Sequence, residues 1–137
     1  MAGNMEKHDS YTLAYDRIAE ALEQGFPLEA IAIEESIIAD RLVSYLAHKN
    51  EKVSIKTSFF ELIYTAKNLS SDFKANLYTQ LNEWRDHRNK MLHGIVKSMP
   101  GTAPTTKAED FIAEARRLAE EGLKLTRVVQ NWQMAQK

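Results

Sequence analysis

Apolar side chains recur along this chain at intervals of three, four and seven residues, the spacing that places them on one face of a helix. No stretch alternates apolar and polar residues as a half-buried strand would. The pattern predicts a first helix from about Ser10 to Gln24 with Leu13, Ile18, Ala21 and Leu22 inward, followed by Gly25 where a left-handed residue would end it. Pro27 then opens a second helix at a position where a missing N–H does no harm. That helix reaches about Lys49 and buries Ile31, Ile38, Leu42, Tyr45 and Leu46, while Glu34, Glu35, Asp40 and Arg41 sit close to the apolar stripe, with some of them expected to be paired near the core.

Ser58-Phe59-Phe60-Glu61 has the spacing of a capping box, and Leu62, Ile63 and Ala66 follow on a short helix expected to cross one end. A third long helix starts near Ser71-Asp72 and carries Phe73, Leu77, Leu81, Trp84, Met91 and Ile95 inward. The stretch from Ser98 to Thr105 holds Pro100 and Pro104 and reads as the one clear loop. Beyond it Thr106 and Glu109 repeat the capping-box spacing. Phe111, Ala115, Leu118, Gly122, Leu125, Val129 and Trp132 then step down the last helix by fours and threes, a seam for packing on another helix of this chain or of a second copy. The expected fold is all-α: an up-and-down bundle of four long helices plus a short helix, in a single domain over 1–137 with a flexible N-terminus over about 1–9.

Composition narrows the class. With 137 residues the chain can build one ordinary apolar core and not two. It has no cysteine, so neither disulfides nor a thiolate metal cage can form, which fits a reducing cytoplasm. The opening residues Met1 to His8 contain no apolar core of a signal peptide, and no run approaches the roughly 18 apolar residues of a membrane span, so a cytoplasmic protein with no membrane partner is expected. A formal net charge of −1 argues against a general polyanion-coating protein, and any nucleic-acid contact must be local.

The densest cluster of polar functional groups is Arg85-Asp86-His87-Arg88-Asn89-Lys90-Met91-Leu92-His93-Gly94, on the third long helix. Asn89 and His93 are four residues apart and share a face, and Arg85 lies four before Asn89 on that face. Arg88 lies five before His93, about 140° away on an ideal helix, so it must reach around its own helix or meet a histidine from elsewhere. The set suits phosphodiester chemistry. Imidazole exchanges a proton near neutral pH, guanidinium grips a phosphate with a planar fork, and an amide hydrogen-bonds without titrating. The plainer alternative makes Arg85, Arg88 and Lys90 a solvated helix face and His93 a surface or capped histidine. Trp84 and Trp132 fall on apolar stripes and are read as packing rather than base-stacking groups. His87 could contact substrate or pack against Met91, and Glu35 or Asp40 could orient Arg88. No cofactor is expected, and no metal site either, since no cysteine is present and no second histidine stands four residues from His93.

Arg88-Asn89-Lys90-Met91-Leu92-His93 resembles the Arg-polar-x3-His signature of the HEPN superfamily (higher eukaryotes and prokaryotes nucleotide-binding), in which these residues lie late in a long helix of a bundle. The order of helices is similar too, and Ile37-Ile38-Ala39-Asp40-Arg41-Leu42 looks like the corresponding segment of several such families, so that the resemblance spans roughly residues 10–134. It implies a homodimer whose two motif helices face each other, and a ribonuclease of a toxin–antitoxin, phage-defence or RNA-processing system. By this resemblance His93 transfers protons, Arg88 contacts the phosphate and its transition state, and Asn89 positions; Arg85, His87 and Lys90, by their place in the same basic cluster, are the candidates for contact with the RNA substrate. The expected reaction is metal-independent endoribonucleolytic cleavage by the 2′-hydroxyl, leaving a 2′,3′-cyclic phosphate and a 5′-hydroxyl. An antitoxin or regulatory protein is an expected partner. Ile95 stands where a tyrosine commonly occurs in toxins silenced by a nucleotidyltransferase, which argues against control by modification there. Two rival expectations are a non-catalytic HEPN-like module that binds a nucleotide or a protein, and a purely structural helical subunit.

Overall fold

The computed structural model describes residues 2–104 and 107–136, with side chains from Met5 onward. Six helices are present among them, and no strand: α1 (Ala2–Gln24), α2 (Pro27–His48), α3 (Phe59–Leu69), α4 (Ser71–Asn76), α5 (Tyr78–Gly94) and α6 (Ala108–Met134). Cross-helix contacts give the directions. Lys7 and Tyr11 meet Asp40 while Arg17 meets Glu29, so α1 and α2 run antiparallel. Glu34 faces Gly122 and Tyr45 packs on Trp132, so α2 and α6 run parallel. Trp84 reaches Leu118 while the end of α5 adjoins the start of α6, so these two are antiparallel. The four long helices therefore alternate up and down, with α3 and α4 packed on one another and on α5.

The local signals explain most boundaries. Gly25 has φ +84, a left-handed value that a side chain with a Cβ would resist, and it ends α1; Pro27 follows at the start of α2. The Ser58 hydroxyl accepts from the Glu61 N–H at 3.2 Å and caps α3, and Ser70 caps α4 in the same way through the Phe73 N–H at 3.1 Å. Met99-Pro100-Gly101-Thr102 closes a turn in which the Thr102 N–H donates to the Met99 carbonyl at 3.0 Å and Gly101 supplies φ +83.

Four expectations need adjustment. The first helix begins at Ala2, ahead of the expected Ser10, and its Lys7 and Tyr11 are tied to Asp40 of α2. Leu13 is 68% exposed, because it lies about 140° around α1 from the buried Ile18; Tyr11, Ala14 and Tyr15 take the inward positions instead. The third long helix is two helices, α4 and α5, broken at Leu77 (φ −124). The Gln80 side-chain amide donates to the Asn76 carbonyl at this break, while Leu77 still accepts from the Leu81 N–H at 3.0 Å, so the apolar spacing runs on across the interruption. At the start of α6 the expected cap Thr106 lies outside the described residues, as does Thr105; Lys107 holds the N-cap position without a side-chain cap bond.

The seam of α6 packs within the chain: Ala115, Leu118, Ala119, Gly122, Leu125, Thr126, Val129 and Trp132 are all buried. Trp84 is fully buried, and its indole N–H donates to the Leu118 carbonyl at 2.9 Å, which supports the packing role. Trp132 lies 4.6 Å from the Tyr45 ring and 5.0 Å from the Phe73 ring, again a core position. At the junction of α2, α5 and α6 stands Glu34, fully buried, with neither carboxyl oxygen hydrogen-bonded among the described residues. Burial pushes its pKa up to about 9, so the group is held as a neutral acid at neutral pH. Gly122 makes room for it: a Cβ there would come within 2.2 Å of Glu34 Oε1 and 2.6 Å of the Trp84 ring. Among the described residues no helix is long and apolar enough to cross a membrane.

Candidate functional site

The motif occupies the last three turns of α5 and divides between its two sides. On the α2 side, Arg88 forms an ion pair with Glu35, and its guanidinium also donates to Asn89 Oδ1 from Nε at 3.3 Å and from Nη2 at 3.1 Å. The Arg88 side chain is only 17% exposed. Burial lowers its pKa, though a guanidinium titrates so high that it stays charged. Glu35 therefore fills the orienting role open to it. Asp40 is engaged elsewhere, with Lys7 and the Tyr11 hydroxyl, and the burial of the phenol, together with this hydrogen bond, raises the Tyr11 pKa.

Arg85 turns toward α3. Its guanidinium lies 4.9 Å from the centre of the Phe60 ring, which stacks on Tyr64, and Nη2 donates to Asn82 at 3.2 Å. Arg85, Asn89 and His93 share a helix face by position, yet their side chains diverge. Asn89 turns to Arg88, Arg85 turns to Phe60, and His93 borders a cleft on the α6 side.

That cleft has a volume of about 820 Å³ and opens between the end of α5 and the start of α6. His87, Lys90 and His93 line it, and both histidines are exposed. Lys90 pairs with Asp86 at 3.0 Å, and the ammonium hydrogen-bonded to Asp86 holds that carboxyl below the usual range. His87 is exposed along this cleft and is not packed in the core. The cleft also draws in residues that sequence reasoning had passed over: Lys97, just past the end of α5, and Lys107, Asp110, Glu114 and Arg117, which form its far wall. No local pattern marks them, since they come together only because α5 and α6 pack antiparallel on either side of the connection over 95–107.

Chemically, the α2 side offers a fixed, charged fork, and the α6 side offers two imidazoles among lysines. Within one chain Arg88 and His93 are directed to different sides, as their five-residue separation requires. Among the described residues no group of three or more His, Asp or Glu is gathered in a way that could hold a metal ion. Comparison with protein-family models, with curated proteins and with solved structures finds no match to this chain.

Proposed function

We propose that the protein is an endoribonuclease of HEPN type, active as a homodimer, in which His93 transfers protons and Arg88 stabilises the phosphate. The observation that carries the reading is the setting of Arg88. A solvated helix face would leave its arginines loose, whereas Arg88 is largely buried and clamped between Glu35 of another helix and its own neighbour Asn89. A planar fork held in this way is ready to meet a phosphate without further ordering. His93, exposed at the cleft, remains available for proton transfer to and from RNA oxygens. In the reaction the 2′-hydroxyl attacks the adjacent phosphorus, the P–O5′ bond breaks, and the products are a 2′,3′-cyclic phosphate and a 5′-hydroxyl.

The divergence of Arg88 and His93 favours a site completed between two copies, with Arg88 of one beside His93 of the other. Leu92, Val96 and Met99 are 39%, 76% and 74% exposed beside the motif, and they supply apolar surface for such a contact. The same exposed groups also favour a second reading, a non-catalytic module that docks another protein, an antitoxin among the candidates. The test is incubation of purified protein with RNA in excess chelator. Cleavage that leaves cyclic phosphate ends and is lost in His93→Ala supports the ribonuclease. Metal-dependent cleavage, or none at all, counts against it.

A further inference from the structure

The α5–α6 cleft carries more positive charge than the motif alone brings to it. Lys90, Lys97, Lys107 and Arg117 border it, against the carboxylates of Asp110 and Glu114. Arg117 is paired with Glu114 at 2.9 Å and Lys90 with Asp86. Lys97 and Lys107 make no ion pair among the described residues. In a chain of net charge −1, two unneutralised ammonium groups facing one cleft are a local concentration of charge.

We propose that this cleft is a binding groove for single-stranded RNA, in which Lys97 and Lys107 hold backbone phosphates on either side of the nucleotide that His93 addresses. This deepens the ribonuclease reading and rests on it for the choice of RNA. The cleft has the length for several nucleotides: Lys107, at the N-cap of α6, and Arg117, on that helix, both line it and are ten residues apart, about 15 Å along the axis. Lys97 lies just past the end of α5, where its backbone N–H continues the turn by donating to the His93 carbonyl at 3.0 Å, so its side chain springs from the same turn as the imidazole. The carboxylate of Asp110 repels a phosphate from its own position but suits amino groups on the Watson–Crick edges of bases, edges that an unpaired strand exposes and pairing occupies. The exposed rings of His87 and His93 add flat faces on which unpaired bases stack.

The test uses the full chain and a short fluorescent 2′-O-methyl RNA strand, which has no free 2′-hydroxyl and cannot be cleaved by this route. Lys97→Ala/Lys107→Ala should weaken binding about tenfold or more at low salt and make the slope of log affinity against log salt shallower by about 1.4, the contribution of two phosphate contacts on a single strand. Lys52→Ala/Lys56→Ala, with the same change in charge on the connector between α2 and α3, should stay within about twofold of wild type, and circular dichroism should show unchanged helix content in both. The groove is overturned if the Lys97/Lys107 variant binds as tightly as wild type, if the control variant loses as much, or if a duplex of the same sequence binds more tightly than the strand. Wild-type protein that binds in the expected way but cleaves no RNA leaves the groove standing and removes the ribonuclease.

Discussion

On its inner side α5 buries Trp84 against Gly122 and Glu34 and, one turn further on, holds Arg88 between Glu35 and Asn89; on its other side His87, Lys90 and His93 stand exposed along an open cleft. The inner side is crowded to the point that a single methyl group has no place beside Gly122. The cleft side has room for a ligand and few fixed partners. One helix thus combines a rigid inner side with an open, polar edge, and Arg88 lies at the border between them. Substitutions on the inner side should register as stability, and those on the cleft side as binding or turnover with the fold intact.

The largest expected effect tests the crowding. Alanine ordinarily stabilises a helix relative to glycine by about 1 kcal/mol. Gly122→Ala should instead destabilise this protein by about 3 kcal/mol, because its Cβ would overlap Glu34 Oε1 and the Trp84 ring. Urea denaturation measures it, and a gain in stability would break the inner half of the comparison.

The second effect is carried by pH. Glu34 titrates at about 9 in the folded chain against an ordinary value of 4.5, so folding takes up a proton between these values. Its contribution is fully present below about 4.5 and is lost progressively as pH rises toward about 9. Glu34→Gln cannot ionise and should remove this slope, gaining about 3 kcal/mol on wild type at pH 7 relative to their difference in mildly acid solution, at about 1.4 kcal/mol per pH unit. Parallel pH–stability curves for the two proteins would show that Glu34 is not held neutral.

A smaller loss, about 1 kcal/mol, is expected for Glu35→Ala, since the ion pair with Arg88 is partly exposed and partly screened. The cycle with Arg88→Ala sharpens the point: the double variant should lose less than the sum of the singles, and simple additivity would mean that the pair is not coupled. Smallest of all, His93→Ala should change stability by no more than about 0.5 kcal/mol, as an exposed residue at a helix end should.

The core was largely legible in the sequence because burial follows helical spacing. Ile31, Ile38, Leu42, Tyr45 and Leu46, and the α6 seam through Gly122 and Trp132, are where their periodicity placed them. Leu13 went astray because hydrophobicity was counted without its angle to Ile18. The break at Leu77 left no mark, since spacing is kept when a helix is interrupted but not redirected away from the core. Within the motif, the angular separation of Arg88 and His93 followed from helix geometry, and the candidacy of Glu35 from its place beside the apolar stripe. The burial of Glu34 and the second wall of the cleft depend on which helices become neighbours, information that lies in packing and not in any local pattern.

If Arg88 and His93 serve one reaction from different sides of their helices, two copies of α5 must meet. Mixing inactive Arg88→Ala protein with inactive His93→Ala protein tests this most directly. The mixed dimer contains one intact cross-chain pair, while neither of its chains contains both residues. Partial recovery of RNA cleavage, up to about a quarter of the wild-type activity for an equimolar mixture whose subunits exchange freely, since about half of the dimers are mixed and each of these has one intact site of two, is the predicted result. Mixed dimers shown to have formed that remain inactive, or an enzyme fully active as a monomer, would contradict it.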